Sequence, residues 1–388
     1  VLFRSPTMNI NNNNFQKNSN ISRTLEILWR CNSVSRVEIA RQLDLYRSTV
    51  SNIINSLIDV GLVFETEEGT SQPQGGRKPI YLSLNEKFGG ILGIEIQPGN
   101  YKAVFINLHG EVLLKKSQDI QIDSLEICIK NILDGFIPEI EKLGIPLLAV
   151  CVGLPGVIDS EKCRIINSDP FYLNDYSFYE FCEKNLNVPF LVENDANCLA
   201  WLQLARKRKT DLRDFLVVMA EEHSNGIGVG VALTFDNKVR YGRQFGSGEF
   251  ISNSWRPGKF GQTGMSLEER KKILTDKDAY FQWIKELFET LSPTISLLAP
   301  DCVFIHGEPT KRQNEIQSFL KKEVPQFFAV LEKSKCLFEF AVEDSYEVAL
   351  GAASMMLQKL FTVPDITEID SRTRFDWEYL FSIAKGKK

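Results

Sequence analysis

Two short amphipathic helices joined by a tight turn are the feature that most restricts how residues 35–64 fold. Ser35, followed three positions later by Glu38, is a capping-box signature, in which the hydroxyl and the carboxylate each accept a hydrogen bond from the other residue's backbone N–H. Apolar residues in both helices recur three and four positions apart, so each helix has one apolar face. We predict that the buried residues are Val37, Ile39, Ala40, Leu43, Val50, Ile53, Ile54, Leu57 and Ile58.

The second helix carries short polar side chains on the face opposite its apolar stripe. Such side chains in the N-terminal half of a helix can hydrogen-bond the base edges in the major groove of duplex DNA. We therefore predict a helix-turn-helix that binds a double-stranded DNA operator; the alternative is a helix pair with no role in nucleic-acid binding. The predicted DNA contacts on this helix are Arg47, Ser48, Thr49, Ser51, Asn52 and Asn55.

A strand, a polar loop and a returning strand follow at residues 62–64, 65–76 and 80–84, and together they predict the wing of a winged helix-turn-helix. The loop ends in two glycines that precede Arg77 and Lys78. Flexible glycines allow a guanidinium to approach phosphates or a narrow minor groove. We predict that Arg77 and Lys78 contact DNA, with a solvated linker as the alternative.

Length and charge indicate that the DNA-binding unit is one part of a larger protein. A chain of 388 residues, 43% of them hydrophobic, can bury two or three compact cores. Residues 1–88 contain 10 Lys and Arg against 8 Asp and Glu, whereas the remainder contains 35 against 42. The two regions therefore carry about +2 and about −7, so DNA affinity should come from a few placed cations and from oligomerisation.

Cysteine spacing and hydropathy indicate the compartment. The eight cysteines form no CxxC pair, and no apolar run approaches the roughly 18 to 20 residues of a membrane span. No stretch has the charged and apolar regions of a secretion signal. We therefore expect reduced thiols, a cytoplasmic location and no membrane partner.

The chain is predicted to divide into three regions. Residues 1–20 are rich in Asn and have little to bury, which predicts a disordered arm. The winged helix-turn-helix should occupy residues 21–87. From residue 88 to residue 388, short strands alternate with helices and glycine-containing turns, which is an α/β pattern. In this third region an acidic and amide cluster, residues 193–197, stands where a strand turns into a helix.

Six segments, in this order along the chain, resemble the ROK family (repressors, open reading frames and sugar kinases), and in particular its sugar-responsive transcriptional repressors. The resemblance implies a two-lobed, actin-like and hexokinase-like (ribonuclease H-like) α/β domain of the ATPase type, with a sugar cleft between the lobes. It also implies a homodimer or tetramer on a pseudo-palindromic operator. The segments are GGRKP at 75–79, VGLPG at 152–156, ENDAN at 193–197, GIGVGVAL and GRQFGSGEF at 226–250, FIHG at 304–307 and ALGAA at 349–353.

The same resemblance assigns the sugar-binding residues. Asn194, Asp195 and Glu249 match sugar-contacting positions of the family, and the backbone around Gly153 would line the same cleft. Carboxylates and amides suit this role because they can bind adjacent hydroxyl pairs. A purely structural role is the alternative, since Asn and Asp at a helix start are frequent N-caps.

A departure from the family pattern argues against catalysis. A sugar kinase needs a carboxylate base and a phosphate cradle, and Asp195 stands at the position of the family's base. However, the turn that reads Asp-x-Gly-Gly-Thr in ROK kinases is residues 95–100 in this chain. There Gln97 fills space that a phosphate would need, and Pro98 has no N–H to donate. We expect no kinase activity and no ATP.

A second departure concerns metal. ROK proteins typically carry a His shortly after the Gly-Glu pair and a cysteine-rich segment, which together bind structural zinc and supply a further sugar-binding Glu. Ser252 replaces that His, Gly264 replaces that Glu, and Trp255, Pro257 and Gln262 stand where thiolates are expected. Zinc would have no ligands, so we predict no metal cofactor. The loss of two sugar-contacting side chains also argues against the usual hexose specificity.

Three functions are compatible with the sequence. The favoured one is a DNA-binding transcriptional regulator, a repressor of carbohydrate-utilisation genes, whose cleft binds a sugar or sugar derivative that prefers one conformer. The second is a regulator with a degenerate cleft that a protein partner controls; Asp195 and Glu249 argue against it. The third is an ATP-dependent sugar kinase with an appended DNA-binding domain, which the phosphate turn disfavours.

Overall fold

Helices packed on a small antiparallel sheet form the N-terminal unit. The computed structural model describes residues 12–31, 33–68, 79–208, 210–223, 225–258, 261–342, 344–361 and 377–386. The elements of the N-terminal unit are α1 (Asn12–Cys31), β1 (Val34–Ser35), α2 (Arg36–Leu43), α3 (Arg47–Asp59), β2 (Val63–Glu68) and β3 (Ile80–Leu84). The strands pair antiparallel in the order β1-β3-β2.

Local sequence explains the boundaries of α2. The predicted capping box is confirmed: Ser35 Oγ accepts from the Glu38 N–H at 3.3 Å, and the Glu38 carboxylate accepts from the Ser35 N–H at 2.8 Å. Asp44 follows the helix in the left-handed region at φ 52°, a conformation that Asp tolerates better than most residues. The strand predicted at residues 62–64 is longer in the structure, since β2 runs to Glu68.

Most predicted core residues of the helix pair are buried, as the periodicity argument requires. Ile58 is half-buried against the same core, but Val37 is 51% exposed, so its predicted burial is wrong. Periodicity gives the direction in which a side chain points, whereas tertiary structure decides how far the packing partner extends along a short helix. The confirmed core residues are Ile39, Ala40, Leu43, Val50, Ile53, Ile54 and Leu57.

A mixed five-stranded sheet organises the first α/β lobe. Its elements are β4 (Gly90–Gln97), β5 (Asn100–Asn107), β6 (Val112–Asp119), α4 (Leu125–Leu143), β7 (Leu147–Leu154), β8 (Val157–Asp159), β9 (Arg164–Ser168), β10 (Leu173–Ser177), α5 (Tyr179–Asn185), β11 (Phe190–Asn194) and α6 (Asp195–Arg206). The sheet has the order β11-β7-β4-β5-β6, and β8, β9 and β10 form a small separate sheet. Because β4, β7 and β11 are parallel, their carboxyl ends meet at one edge of the sheet.

A second five-stranded sheet organises the other lobe, in the order β14-β13-β12-β15-β16. Strands β12, β15 and β16 are parallel, while β13 is antiparallel to both of its neighbours. The elements of this lobe are β12 (Phe215–His223), β13 (Gly226–Phe235), β14 (Lys238–Val239), α7 (Leu267–Lys271), α8 (Lys277–Leu298), β15 (Cys302–Gly307), a 3₁₀ helix (Glu308–Arg312), α9 (Gln313–Glu323), α10 (Pro325–Ser334) and β16 (Leu337–Phe340). Two further helices, α11 (Glu347–Phe361) and α12 (Trp377–Gly386), follow in the chain and pack on the core of the first lobe.

Helices α6 and α11 pack against each other between the two sheets. Helix α6 contacts β12 and β13, whereas α11 contacts β4, β5 and β7. Their backbones are in close contact, since a methyl group on Gly351 would lie 2.0 Å from the Cys198 carbonyl oxygen. A methyl group on Gly93 of β4 would likewise lie 2.0 Å from the Ala349 carbonyl oxygen. These glycines therefore permit a helix pair that contacts both lobes.

The structure differs from the predicted disordered arm over residues 1–20, because α1 already begins at Asn12; residues 1–11 lie outside the described part of the chain. Contacts distant in sequence hold this helix. Asn18 Nδ2 donates to Glu378 Oε1 in α12 at 3.0 Å. Such contacts can offset the conformational entropy that a polar segment loses when it becomes helical.

The helices differ from membrane spans in length or in composition. Of those that lie in the described ranges, none is both long enough and apolar enough to cross a bilayer.

Candidate functional site

Helix α3 presents its predicted polar face away from the core. Arg47, Ser48, Asn52 and Asn55 are exposed. Thr49 and Ser51 are half-buried at the edge of the same face. Because the apolar residues of the helix point inward, six predicted contacts share one accessible face. Arg77 and Lys78, the predicted contacts of the wing, lie outside the described residues.

Two residues beside this face were not predicted from the sequence. Tyr46 precedes α3 and is 84% exposed. Arg36, at the start of α2, donates from Nη2 to Asn55 Oδ1 at 3.4 Å and forms an ion pair with Glu65 Oε1 at 2.8 Å. Arg36 therefore connects α2, α3 and the wing strand β2. Its position at a helix start was readable from the sequence, but its contact with α3 required the tertiary structure.

Most of the residues that the family resemblance assigns to the sugar cleft lie where β4, β7 and β11 end. Glu95, Gly153 and Glu193 lie side by side in the sheet register. Glu193 is fully buried, and its Oε2 accepts from the Tyr241 hydroxyl at 2.7 Å. Its Oε1 accepts from Asn197 Nδ2 at 3.2 Å and from the next backbone N–H at 2.8 Å. Glu193 is thus a structural residue that fixes the start of α6.

Asn194 is the N-cap of α6, which was the structural alternative. Its Oδ1 accepts from the Asn197 N–H at 3.0 Å, and its Nδ2 donates to the Gly156 carbonyl at 2.9 Å. The same amide donates to Asp195 Oδ1 at 3.1 Å, and this oxygen also accepts from the Ala196 N–H at 2.9 Å. The cap therefore orients the Asp195 carboxylate and does not exclude ligand contact.

Two other carboxylates, Glu95 and Glu221, lie near enough to Asp195 at the start of α6 to act on its charge. Burial, opposed by the hydrogen bond from the Ala196 N–H and reinforced by the charges of Glu95 and Glu221, raises the pKa of Asp195 to about 7. Burial also raises the pKa of Glu95 to about 7, although Lys102 opposes this shift from 3.5 Å. The pKa of half-buried Glu221 is raised by burial as well. Because the charge of Glu221 raises the pKa of both Asp195 and Glu95, a further negative charge is unfavourable here, and the site disfavours an additional anionic ligand.

The β4–β5 turn closes tightly at the position of the family's phosphate cradle. Gln97 pairs with Asn100 across the turn, so Pro98 and Gly99 connect the strands directly. Pro98 has no backbone N–H, which removes one donor that a phosphate cradle would use. The Gln97 side chain interacts with the Asp195 carboxylate and lowers its pKa in part.

Glu249 lies beside β13 of the second sheet. Its backbone bridges to Gly230, and a methyl group on Gly230 would lie 3.1 Å from the Ala196 side chain. The Glu249 side chain is accessible to solvent, yet desolvation and the nearby Asp169 carboxylate raise its pKa. Asp169, which follows β9 in the first lobe, is a candidate cleft residue that sequence reasoning missed. The sequence signal for Asp169 would have been its position in the loop directly after β9.

The residues at the family's zinc positions do not fit a zinc ion. Ser252 Oγ donates to Glu286 Oε2 at 3.1 Å, and both Gln262 side-chain atoms bond the Val229 backbone. Trp255 and Pro257 carry no side-chain ligand for zinc. Within the described ranges, no group of three or more His, Cys, Asp or Glu side chains could hold a metal ion.

Comparison with known proteins supports the resemblance to the ROK family. Residues 91–250 match the family model described as ROK family. The xylose repressor of Staphylococcus xylosus is 30% identical over 232 residues, which are 59% of this chain and 58% of that protein. The chain therefore aligns with little more than half the length of this relative.

Solved structures confirm the predicted α/β fold class. A ROK family transcriptional regulator, a homologue of the E. coli Mlc protein, matches with TM-score 0.69 and 17% identity, over 89% of this chain and 96% of that chain. A ROK family glucokinase from Streptomyces griseus, in complex with glucose and AMPPNP, matches with TM-score 0.53 and 16% identity, over 69% of this chain and 99% of that chain. At these identities the likeness establishes the fold alone.

Proposed function

We propose, because the chain carries a ROK family domain over residues 91–250, that this protein is a sugar-responsive transcriptional repressor of carbohydrate-utilisation genes. It would act in the cytoplasm as a homodimer or tetramer on a pseudo-palindromic DNA operator. The observation that carries the proposal is the exposed polar face of α3 in the same chain as a cleft that retains the capped Asn194–Asp195 pair.

The ligand that best suits the cleft is a neutral sugar. Asp195 and Glu249 can accept hydrogen bonds from adjacent hydroxyls, and the backbone from Gly153 to Gly156 can supply further polar groups. The carboxylates disfavour a sugar phosphate or a nucleotide. Because a curated relative is named a xylose repressor, D-xylose is the first effector to test. Gly264, in place of the family's Glu, is compatible with a ligand smaller than a hexose.

We propose that the protein does not transfer phosphate and needs neither ATP nor zinc. The tight turn at Pro98 and the carboxylates of Glu95 and Glu221 leave little to bind a triphosphate. One observation favours the alternative of a sugar kinase: the pKa of Asp195, at about 7, is suitable for a general base. The matching assay is ADP release from Mg·ATP in the presence of D-xylose, for which we expect no turnover.

A physical route connects the cleft to the DNA-binding unit. Helix α6 starts at Asp195, and just beyond its other end the Arg208 guanidinium lies 4.9 Å from the Trp29 ring centroid in α1. Arg30 Nε donates to the Arg208 carbonyl at 3.1 Å. Trp29 also stacks on Phe361 of α11, with ring centroids 5.5 Å apart. A sugar that shifts α6 and α11 would therefore shift α1, provided that it binds the two conformers with different affinity.

The decisive experiment is a selection of genomic DNA fragments by the purified full chain, with and without D-xylose and a panel of other sugars and sugar phosphates. Discrete palindromic sites that a sugar releases would support the proposal. Sites that no tested compound releases would favour the partner-controlled regulator. Failure to select any site would overturn DNA binding.

Two variants localise the functions on the selected fragment. Asn52→Ala should weaken DNA binding by about 1–3 kcal/mol if it loses a base contact, whereas Asn131→Ala, at an exposed position of α4, should not. Asp195→Asn should retain DNA binding and lose the sugar response. Fluorescence anisotropy measures both effects. An unaltered affinity of Asn52→Ala would remove that residue from the DNA contacts.

A further inference from the structure

Two polar side chains, Gln262 and Glu286, anchor the segment that follows Glu249. The family binds a structural metal in this segment. Gln262 is the first anchor. Its Oε1 accepts from the Val229 N–H at 2.8 Å, its Nε2 donates to the Val229 carbonyl at 2.6 Å, and its own carbonyl accepts from the Ser252 N–H at 2.8 Å. The side chain thus pairs with β13 as a neighbouring strand would. It does so one residue before Gly230, the bridge partner of Glu249.

Glu286 of α8 is the second anchor. It is 5% exposed, and its Oε2 accepts from Ser252 Oγ at 3.1 Å and from the Gly264 N–H at 2.9 Å. Ser252 and Gly264 are the positions at which the family carries its zinc-binding His and its further sugar-binding Glu. A buried carboxylate is stable only when hydrogen bonds compensate for its lost hydration. The two donors from this segment supply that compensation.

We infer that Gln262 and Glu286 replace the structural metal and act as positioning residues for Glu249. Gln262 fixes the segment to β13 beside the Glu249 bridge, and Glu286 joins positions 252 and 264 to α8. The pair therefore holds the Glu249 wall of the cleft through hydrogen bonds alone. The sugar-binding consequence rests on the proposed function, whereas the metal-free anchoring does not.

Amide hydrogen exchange of the full chain tests the anchoring without any ligand. We expect wild-type exchange at Val229, Ser252 and Gly264 to be the same before and after treatment with a zinc chelator. Gln262→Ala should accelerate exchange at Val229 and Ser252, and Glu286→Ala should accelerate it at Gly264. Glu286→Gln keeps an acceptor oxygen and should restore protection. Gln313→Ala, at an exposed position of α9, is the matched control.

Clear outcomes would overturn the anchoring. One zinc per chain by elemental analysis, with loss of protection at Ser252 on chelation, would show that a metal holds the segment. Unchanged exchange in both alanine variants would show that the two side chains hold nothing. If Glu286→Ala and Glu286→Gln accelerate amide exchange at Gly264 equally, the acceptor oxygen at position 286 does not hold the segment.

Calorimetric titration with D-xylose tests the positioning role separately. By analogy with the loss of supporting partners around binding residues, Gln262→Ala and Glu286→Ala should each weaken xylose binding by about 10-fold or more. Glu286→Gln should remain within about threefold of wild type, and DNA affinity without sugar should not change. If the alanine variants bind xylose as tightly as wild type, the positioning role fails. If wild type binds no xylose, the proposed effector fails, and the exchange result still decides the anchoring.

Discussion

At the scale of single residues, the start of α6 shows how one short motif combines a helix cap with a buried carboxylate that we propose binds the sugar. The sequence allowed Asn194 and Asp195 to be either helix caps or ligand contacts. The structure assigns the cap to Asn194, and the capping amide also orients the Asp195 carboxylate. Both carboxylate oxygens of the neighbouring residue Glu193 instead accept hydrogen bonds from within the protein. The motif therefore supplies one fixed carboxylate to the cleft.

The raised pKa of Asp195 predicts a pH-dependent cost of folding. Its folded-state pKa is about 7, against an ordinary value of 3.8. The folded chain thus holds this proton more tightly than the unfolded chain, so stability falls as pH rises from about 4 to about 7 and then levels. Asp195→Asn removes this dependence. We expect its free energy of unfolding to exceed that of wild type at pH 8 and the difference to shrink towards pH 5.

Urea unfolding of both proteins across this pH range measures the effect. Asp134→Asn, at an exposed position of α4, controls for the change of charge. Parallel stability curves for wild type and Asp195→Asn would show that the Asp195 carboxyl is not destabilised by burial.

At the scale of elements, α6 and α11 pack closely, because their backbones are in direct contact at Cys198 and Gly351. A buried network also joins them to the second sheet. His306 of β15 contacts Glu347 of α11 at 2.7 Å and Gln203 of α6 at 3.1 Å. Arg206 donates to the other Glu347 oxygen at 2.5 Å. A movement of one helix must therefore carry the other or break this network.

Removal of the contact between Arg208 and Trp29 should uncouple sugar binding from DNA release. Arg208→Ala deletes the guanidinium that lies over the Trp29 ring. Coupling energies between sites are typically about 1–3 kcal/mol, so we expect the sugar-induced drop in DNA affinity to shrink by about fivefold. Sugar affinity in the absence of DNA should stay within about twofold, because Arg208 lies beyond the end of α6 opposite to Asp195.

Anisotropy titrations of the selected DNA fragment, with and without D-xylose, give the coupling directly. Arg243→Ala is the matched control, because it also removes an arginine, at an exposed position after β14. A full sugar response in Arg208→Ala would place the coupling elsewhere.

At the scale of the whole molecule, charge differs between the N-terminal region and the rest of the chain. The small excess of about +2 over residues 1–88 sits in a chain whose total charge is −5. Three placed cations per protomer, Arg47, Arg77 and Lys78, would make six phosphate contacts in a dimer. Broad electrostatic adhesion to DNA is therefore not expected.

The salt dependence of operator binding should accordingly be moderate. Six phosphate contacts predict a slope of about −5 for the logarithm of the association constant against the logarithm of salt concentration. Binding measured from low to physiological salt gives this slope, and Arg47→Ala should reduce its magnitude. A slope near zero, or one about twice as steep as predicted, would contradict the few-cation description.

Sequence alone determined the features that depend on neighbours within one or two helical turns. The capping box at Ser35, the apolar stripe of α3 and the start of α6 after a buried strand follow from local hydrogen bonds and periodicity. The family resemblance extended this to the two-lobed fold and to the positions of Asp195 and Glu249. These features were predictable because their determinants lie close together in the chain.

Only the tertiary structure decided features that join residues distant in sequence. Asn18 meets Glu378, so α1 begins earlier than its own composition predicts. The charge of Asp169 acts on Glu249, and Glu286 reaches Ser252 and Gly264. No local pattern encodes such contacts, because the energy that fixes each side chain comes from a partner whose position is set by the packing of both lobes.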